Sequence, residues 1–342
     1  MRQKVVLITG ANGEIGHGLI QYLAKNTDSH IVALDVVPLD KSLRDFCRTY
    51  IVGDILDQML LGRLVVEHEI STIYHLASIL STKAEYNPET AHRINVEGTM
   101  NLLRLAVEQS QWQGASVKFI YPSSIAAYGI PTLAEKRQAG FVTEDTWNHP
   151  TTMYGCNKLY CEHLGRYYSA YYRQLAADCG GTDTVDFRAI RFPGLISAET
   201  IPTGGTSDYG PEMLHAAAKG QEYHCFVRPD TIIPFMVMPD AVKALISLEN
   251  AEKERLTRFV YNVTSFSVSA QEIYDIVLNA FPDAKIDFEV DACRQKIVDT
   301  WPEGVVDSAA CEDWDWAPDY TCERSFNEYL IPAIRERYQH PA

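Results

Sequence analysis

The feature that most limits the fold of this chain is a glycine-rich turn placed between two different periodicities. Val5 to Ile8 form a short apolar run, Gly10-Ala11-Asn12-Gly13-Glu14-Ile15-Gly16 follows, and an amphipathic segment through Leu19, Ile20 and Leu23 comes next. A continuous apolar run followed by a 3.6-residue period reads as a buried strand, a tight turn and a helix. Glycines in such a turn let backbone N–H groups at the helix N-terminus approach a pyrophosphate. Many glycine turns only connect elements, so the next strand carries weight. His30 to Leu34 ends in Asp35, where a carboxylate can accept hydrogen bonds from ribose hydroxyls. Val36 and Val37 follow with no arginine nearby, so a 2′-phosphate would meet a carboxylate without a counter-charge, and NAD is expected over NADP.

At 342 residues the chain can form one large α/β domain or a domain with an attached lobe. Its net charge of −15 opposes nucleic acid and anionic membrane as partners. The eight cysteines are scattered, with no CxxC or Cys/His ligand spacing, and read as reduced thiols without a zinc site. The apolar run behind Met1-Arg2-Gln3-Lys4 is too short for a signal segment or a membrane span. A soluble intracellular protein is expected, cytoplasmic, or of the mitochondrial matrix if a presequence was removed.

Further along, a third strand, Tyr50 to Val52, leads into Gly53-Asp54-Ile55. Asp54 there suits an adenine amino group with Ile55 packing on the ring, and reads equally as a helix-capping aspartate. A helix from Gln58 to Glu67 precedes a fourth strand, Thr72 to Leu76, ending at the small residues Ala77 and Ser78. A long helix is expected from Pro88 to Gln109, with Asn95 as a structural hydrogen-bonder. The fifth strand, Val117 to Tyr121, delivers Pro122-Ser123-Ser124, and strand C-termini are where ligands sit in open α/β sheets. Two serines in a loop are otherwise ordinary turn formers. Then comes Thr152-Met153-Tyr154-Gly155-Cys156-Asn157-Lys158, whose spacing puts a phenol and an ammonium on one helical face, a turn apart. A nearby ammonium favours the phenolate, so Tyr154 is expected to titrate far below the usual value of about 10 and to act as a general base. The same spacing occurs on surface helices without chemistry, so the pair gains meaning from its context.

In this order, Gly10-x2-Gly13-x2-Gly16, Asp35, Ser124 and Tyr154-x3-Lys158 resemble the extended short-chain dehydrogenases/reductases, which include sugar-nucleotide epimerases and dehydratases. The likeness covers nearly the whole chain. Sugar-nucleotide members usually carry an asparagine after the arginine-bearing sixth strand, here Val185 to Arg191, whereas this chain has Pro193-Gly194. The loop from Pro202 to Tyr209 offers hydroxyls, flexible backbone and one carboxylate, suited to a small zwitterion, although a solvated turn has the same composition. Arg191 to Ala198, Gly204 to Tyr209, Thr231 to Asp240, Tyr261 to Ser267 and Trp301-Pro302 before Asp313 to Trp316 are similar to the short-chain-type L-threonine 3-dehydrogenases.

The resemblance implies an α/β Rossmann fold, a doubly wound parallel sheet with a smaller C-terminal substrate-binding lobe. Residues 1–194 and 234–264 are then the NAD-binding domain, and 195–233 and 265–342 the lobe. It implies Tyr154 as the base, Lys158 as its activator and ribose ligand, and Ser124 as the holder of the threonine hydroxyl, assisted by Ser123. NAD falls to Gly10, Asn12, Gly13, Glu14, Ile15, Gly16, Asp35, Asp54, Ile55, Leu76, Ala77 and Pro193, besides Tyr154 and Lys158. Ser81, Gly194, Gly205, Thr206, Ser207 and Asp208 fall where the amino acid is held, with Trp301 closing over it. The stretch 176–184 reads as a surface insertion, and the helices near Pro88–Gln109 and Thr151–Tyr172 as the interface of a homodimer. The implied reaction is NAD-dependent oxidation of L-threonine at the Cβ hydroxyl to 2-amino-3-oxobutanoate. Two rivals stand beside it: a sugar-nucleotide epimerase or dehydratase with recycled NAD, and a non-enzymatic NAD sensor.

Overall fold

The computed structural model describes residues 3–176, 184–202 and 204–339. Residues 177–183 of the expected insertion and Thr203 of the hydroxyl-rich loop lie outside the described residues. Seven strands form the main sheet: β1 Lys4–Thr9, β2 Ile31–Asp35, β3 Thr49–Val52, β4 Glu69–His75, β5 Val117–Ser124, β6 Val185–Phe192 and β7 Val260–Asn262. Their spatial order is β7-β6-β5-β4-β1-β2-β3, with every neighbouring pair parallel. The order reverses between β1 and β4, and that switch point is where ligands enter such sheets.

Period-two alternation sorts the strand side chains onto two faces. Leu7 packs with Val32, Phe119 and Phe187 under the helices that carry Leu60, Leu64, Leu102 and Leu105. Its neighbour Ile8 packs on the opposite face with Ala33, Tyr74 and Ile120, under helices that carry Leu19, Leu23, Val242 and Leu245. β6 is buried at every residue, including Asp186 and Arg188, which neutralise each other with Nη2 2.6 Å from Oδ2. β3, at the sheet edge, alternates half-buried and exposed residues.

A second sheet has three strands in the order Phe266–Ser269, Ile232–Val237, Gly194–Ile196. Of the 234–264 segment expected to return to the main sheet, Val260–Asn262 does so, whereas Pro234 to Val237 pairs within this second sheet. A separate core gathers around Phe235, Met213, Ile273 and Phe326 beside it.

The long helix expected from Pro88 to Gln109 is three pieces: Pro88–His92, a π-helical turn at Arg93–Glu97, and Gly98–Gln113, which stops at Gly114 with φ 68°. The widened turn faces Asn95 inward, where its side-chain amide accepts from Ile79 N–H at 2.7 Å and donates to Ile79 O at 3.1 Å. Gly98 follows because a Cβ there would meet Ile55 Cδ1 at 2.4 Å. β5 extends through Ser124 despite Pro122, which lies beyond the last residue paired with β4, where one side of the ladder has ended.

The helix Met153–Ala170 packs so closely on the end of β5 that a Cβ on Gly155 would lie 2.0 Å from the Ala126 carbonyl oxygen. Gly155→Ala is therefore expected to destabilise the protein by about 1–3 kcal/mol. In Gly62, also helical, an added Cβ meets nothing within 4 Å, so Gly62→Ala should be neutral or stabilise by up to about 1 kcal/mol. Thermal unfolding of the two variants tests the contrast.

Candidate active site

The switch point opens on a cavity of about 290 Å³. Its walls come from the glycine turn, the ends of β4, β5 and β6, the start of the helix Met153–Ala170, and the 205–208 loop. Thr152 starts that helix by accepting from Gly155 N–H at 3.0 Å, and Glu85 accepts from Met153 N–H at 2.7 Å. These caps place Tyr154 in the first turn, and Lys158 lies one turn deeper, 4% exposed.

Lys158 Nζ donates to the Pro122 carbonyl at 2.6 Å and lies 4.6 Å from the Tyr121 ring centre and 5.4 Å from that of Tyr154. Burial lowers its pKa to about 8, opposed by Cys161 and Glu162, so it stays mostly charged at neutral pH. The expectation that the ammonium alone drops the phenol far below its usual value is corrected here. Burial pushes the Tyr154 phenol up, and a hydrogen bond with Ser124 pulls the other way without offsetting it. Spacing along a helix reveals proximity, whereas desolvation depends on the surrounding fold, and here desolvation wins.

On the cofactor side, Gly10 has φ +66°, and a Cβ there would fall 2.5 Å from Ala77 N. The helix Glu14–Asn26 has Gly13 as its N-cap with no side-chain capping bond, so its first N–H groups face the cavity without a side-chain acceptor. Asp35 accepts from Asn12 N–H at 2.9 Å and from Val37 N–H at 3.2 Å, which fixes the carboxylate beside the turn. Asn12 in turn accepts from Asp40 N–H at 2.8 Å. These residues fit a dinucleotide: an uncapped helix end for phosphates and an anchored carboxylate for ribose hydroxyls.

Gly10, Gly13, Glu14, Ile15, Gly16, Leu76, Ser81, Ser123, Ser124, Tyr154, Lys158, Pro193, Gly194, Gly205, Ser207, Asp208 and Trp301 all line the cavity. Asn12, Asp35, Asp54, Ile55, Ala77 and Thr206 are outside its lining. Ala77 closes behind Gly10, and Thr206, 2% exposed, donates to Ser81 Oγ at 2.9 Å. Asp54 accepts from Leu56 N–H at 2.9 Å, while the cap of the following helix is Asp57. The Ile55 side chain is buried against Gly98. Sequence reasoning missed Leu80, Phe192 and Leu195 as lining residues, whereas Ser78 lines the cavity at the strand end where small residues were expected to face a cofactor. Phe192 closes β6, Leu195 lies within the strand Gly194–Ile196 and Leu80 caps the helix Ser81–Tyr86, so no local pattern signalled them.

Two carboxylates face each other across this cavity. Burial and then the negative charge of Asp208 raise the Glu14 carboxyl to about 7, and the Thr200 hydroxyl, without another partner, pulls the other way. A proton on Glu14 removes a charge that would oppose phosphate at the turn.

Comparison with known proteins agrees with this geometry. Residues 6–264 match the model of the NAD dependent epimerase/dehydratase family. The chain is 33% identical over 318 residues to a mitochondrial L-threonine 3-dehydrogenase of Bos taurus, covering 93% of this chain and 79% of that protein. It is also 33% identical to an uncharacterized epimerase/dehydratase of Staphylococcus saprophyticus, covering 97% of each. The solved structure of an L-threonine dehydrogenase from Clostridium difficile superposes with a TM-score of 0.84 at 32% identity, covering 99% of each chain. The chain belongs to the NAD dependent epimerase/dehydratase family and is an oxidoreductase.

Because the folded state raises the pKa of Glu14, the protein favours its protonated form. That stability is complete below about 4.5 and is lost as pH rises towards about 7. Glu14→Gln, which mimics the protonated group, should match the unmodified protein in thermal midpoint at pH 5 and exceed it at pH 8. A difference independent of pH would remove the assignment.

Proposed function

We propose that the chain is an NAD-dependent L-threonine 3-dehydrogenase that oxidises the Cβ hydroxyl to give 2-amino-3-oxobutanoate. The observation that carries the reading is the meeting, in one cavity, of Tyr154, Lys158 and Ser124 with a dinucleotide-type glycine turn and the small polar Gly205–Asp208 loop. The relatives whose names include L-threonine dehydrogenase match over almost the whole chain, which supports the same substrate.

NAD, when bound, supplies the hydride acceptor and a positively charged ring. Tyr154 takes the hydroxyl proton, and the buried Lys158 cation 5.4 Å from its ring, with the Ser124 hydrogen bond and the positive nicotinamide when NAD is bound, works against the desolvation that raises the phenol. Ser124 holds the substrate oxygen as it becomes a carbonyl. Ser81, tied to Thr206, joins the sheet side of the cavity to the loop that shapes the amino-acid end. Trp301, 4% exposed, forms an apolar wall and helps exclude water. NAD is preferred over NADP because Asp35 sits beside exposed Val36 and Val37, and Arg44, further along the chain, is engaged by the Leu39 carbonyl and the Tyr50 ring.

The sugar-nucleotide reading has the same base on the same scaffold. Pro193 and Gly194 line the cavity where that reading needs a side-chain amide, and a Cβ on Gly194 would already meet the Phe235 ring at 2.7 Å. A homodimer is part of the proposal, through the exposed Tyr160 and Tyr167 of one helix and Trp112 of its neighbour.

NADH formation followed at 340 nm with L-threonine, L-allo-threonine, L-serine and UDP-glucose tests the function. L-threonine is expected to be the productive substrate, and Tyr154→Phe to lose about 10²- to 10⁴-fold in turnover. Turnover of UDP-glucose without net NADH would favour the rival.

A further inference from the structure

Ser123, the last residue but one of β5, lines the cavity, yet the one proton of its hydroxyl is already committed. Its Oγ is hydrogen-bonded to Glu162 Oε1. From the other side Arg191 grips the same carboxylate, with Nε 2.9 Å from Oε1 and Nη2 2.6 Å from Oε2. Ser123 and Glu162 are 3% exposed and Arg191 2%. Burial pulls the Arg191 guanidinium down, but the hydrogen bond and charge of Glu162 hold it above its usual value. A carboxylate paired with arginine only accepts, so the hydrogen between Ser123 and Glu162 comes from the serine. What Ser123 presents to the cavity is lone pairs.

Ser124 differs, because its Oγ accepts from Ala126 N–H at 3.1 Å and no carboxylate takes its proton, which leaves that proton free to turn to Tyr154 or to a substrate oxygen. An alcohol oxygen that becomes a carbonyl ends as a pure acceptor, which Ser124 can serve and Ser123 cannot. This removes Ser123 from the role of second holder of the reacting oxygen. On the carbon next to that hydroxyl, L-threonine carries an ammonium with three donors. Asp208 offers it an acceptor from the loop side of the same cavity.

Resting on the L-threonine reading, we propose that Glu162 and Arg191 are positioning residues that fix Ser123 as an obligate acceptor, and that Ser123 receives the substrate ammonium. The pairing uses groups brought together from β5, β6 and the Met153–Ala170 helix, which no local motif contains.

The test uses the full chain with NAD and two ligands that differ at one group: L-threonine, and (R)-3-hydroxybutyrate as a competitive inhibitor with hydrogen in place of the ammonium. Ser123→Ala leaves the Glu162–Arg191 pair intact. It is expected to raise the KM for L-threonine by about 10- to 100-fold, the loss of one hydrogen bond to a charged group. The kcat and the inhibition constant of (R)-3-hydroxybutyrate should change little. Glu162→Gln, whose carboxamide can donate to Ser123 and turn its proton into the cavity, should repeat the KM effect. If that variant does not fold, Ser123→Ala decides alone. An equal loss for both ligands, an unchanged KM for L-threonine, or a rise confined to the KM for NAD would overturn the inference while leaving the parent reading in place. If the unmodified protein gives no NADH with L-threonine, both fall together.

Discussion

The helix Met153–Ala170 carries a cation and an anion into the interior, Lys158 and Glu162, one turn apart and each almost fully buried. Each such charge costs several kcal/mol to desolvate unless it is paired and hydrogen-bonded. Pro122 O takes the ammonium at 2.6 Å, and Arg191 takes the carboxylate through two bonds. Both partners lie at the ends of neighbouring strands, β5 and β6. The helix is therefore registered against the sheet by polar contacts that tolerate little sliding, and Tyr154 inherits its position from them. Gly155 makes the approach possible, because the Ala126 carbonyl occupies the space a side chain would need.

The opposite wall is arranged by different means. Thr206 donates twice to Ser81, Gly205 N–H donates to Asp208 at 2.6 Å, and Arg294 donates to Gly205 O at 2.8 Å while lying over the Phe226 ring. The 205–208 loop is thus bound both to the sheet side and to the smaller core. Glu14 adds a carboxyl at the glycine turn that faces Asp208 and shares its negative potential. The cavity has an electrostatic gradient, with a buried cation at Lys158 and acceptor groups towards Asp208 and Glu14.

Local spacing made much of this legible. The glycine turn, Asp35 and the Tyr154–Lys158 pair are short patterns whose geometry follows from one strand, one turn or one helix, and they stand where those elements predict. The helix Gln58–Glu67 also has the expected limits. What escaped the sequence depends on residues far apart along the chain. The Glu162–Arg191 contact joins positions 29 residues apart, and Ser81 and Thr206 are 125 apart. The direction of the Tyr154 shift escaped because a helical pair shows the neighbouring charge and conceals the desolvation. The π turn at Arg93–Glu97 escaped because its cause, the engagement of Asn95 by the Ile79 backbone, is tertiary.

The central claim is that hydride leaves Cβ of L-threonine for a cofactor that is then released reduced. L-threonine deuterated at C3 tests it directly, with the NADH recovered after turnover and analysed by proton NMR. The account predicts deuterium at C4 of the nicotinamide in the released cofactor. Deuterium retained in the amino acid, with no net reduction of NAD, would contradict it and point to a recycled-cofactor reaction on the same scaffold.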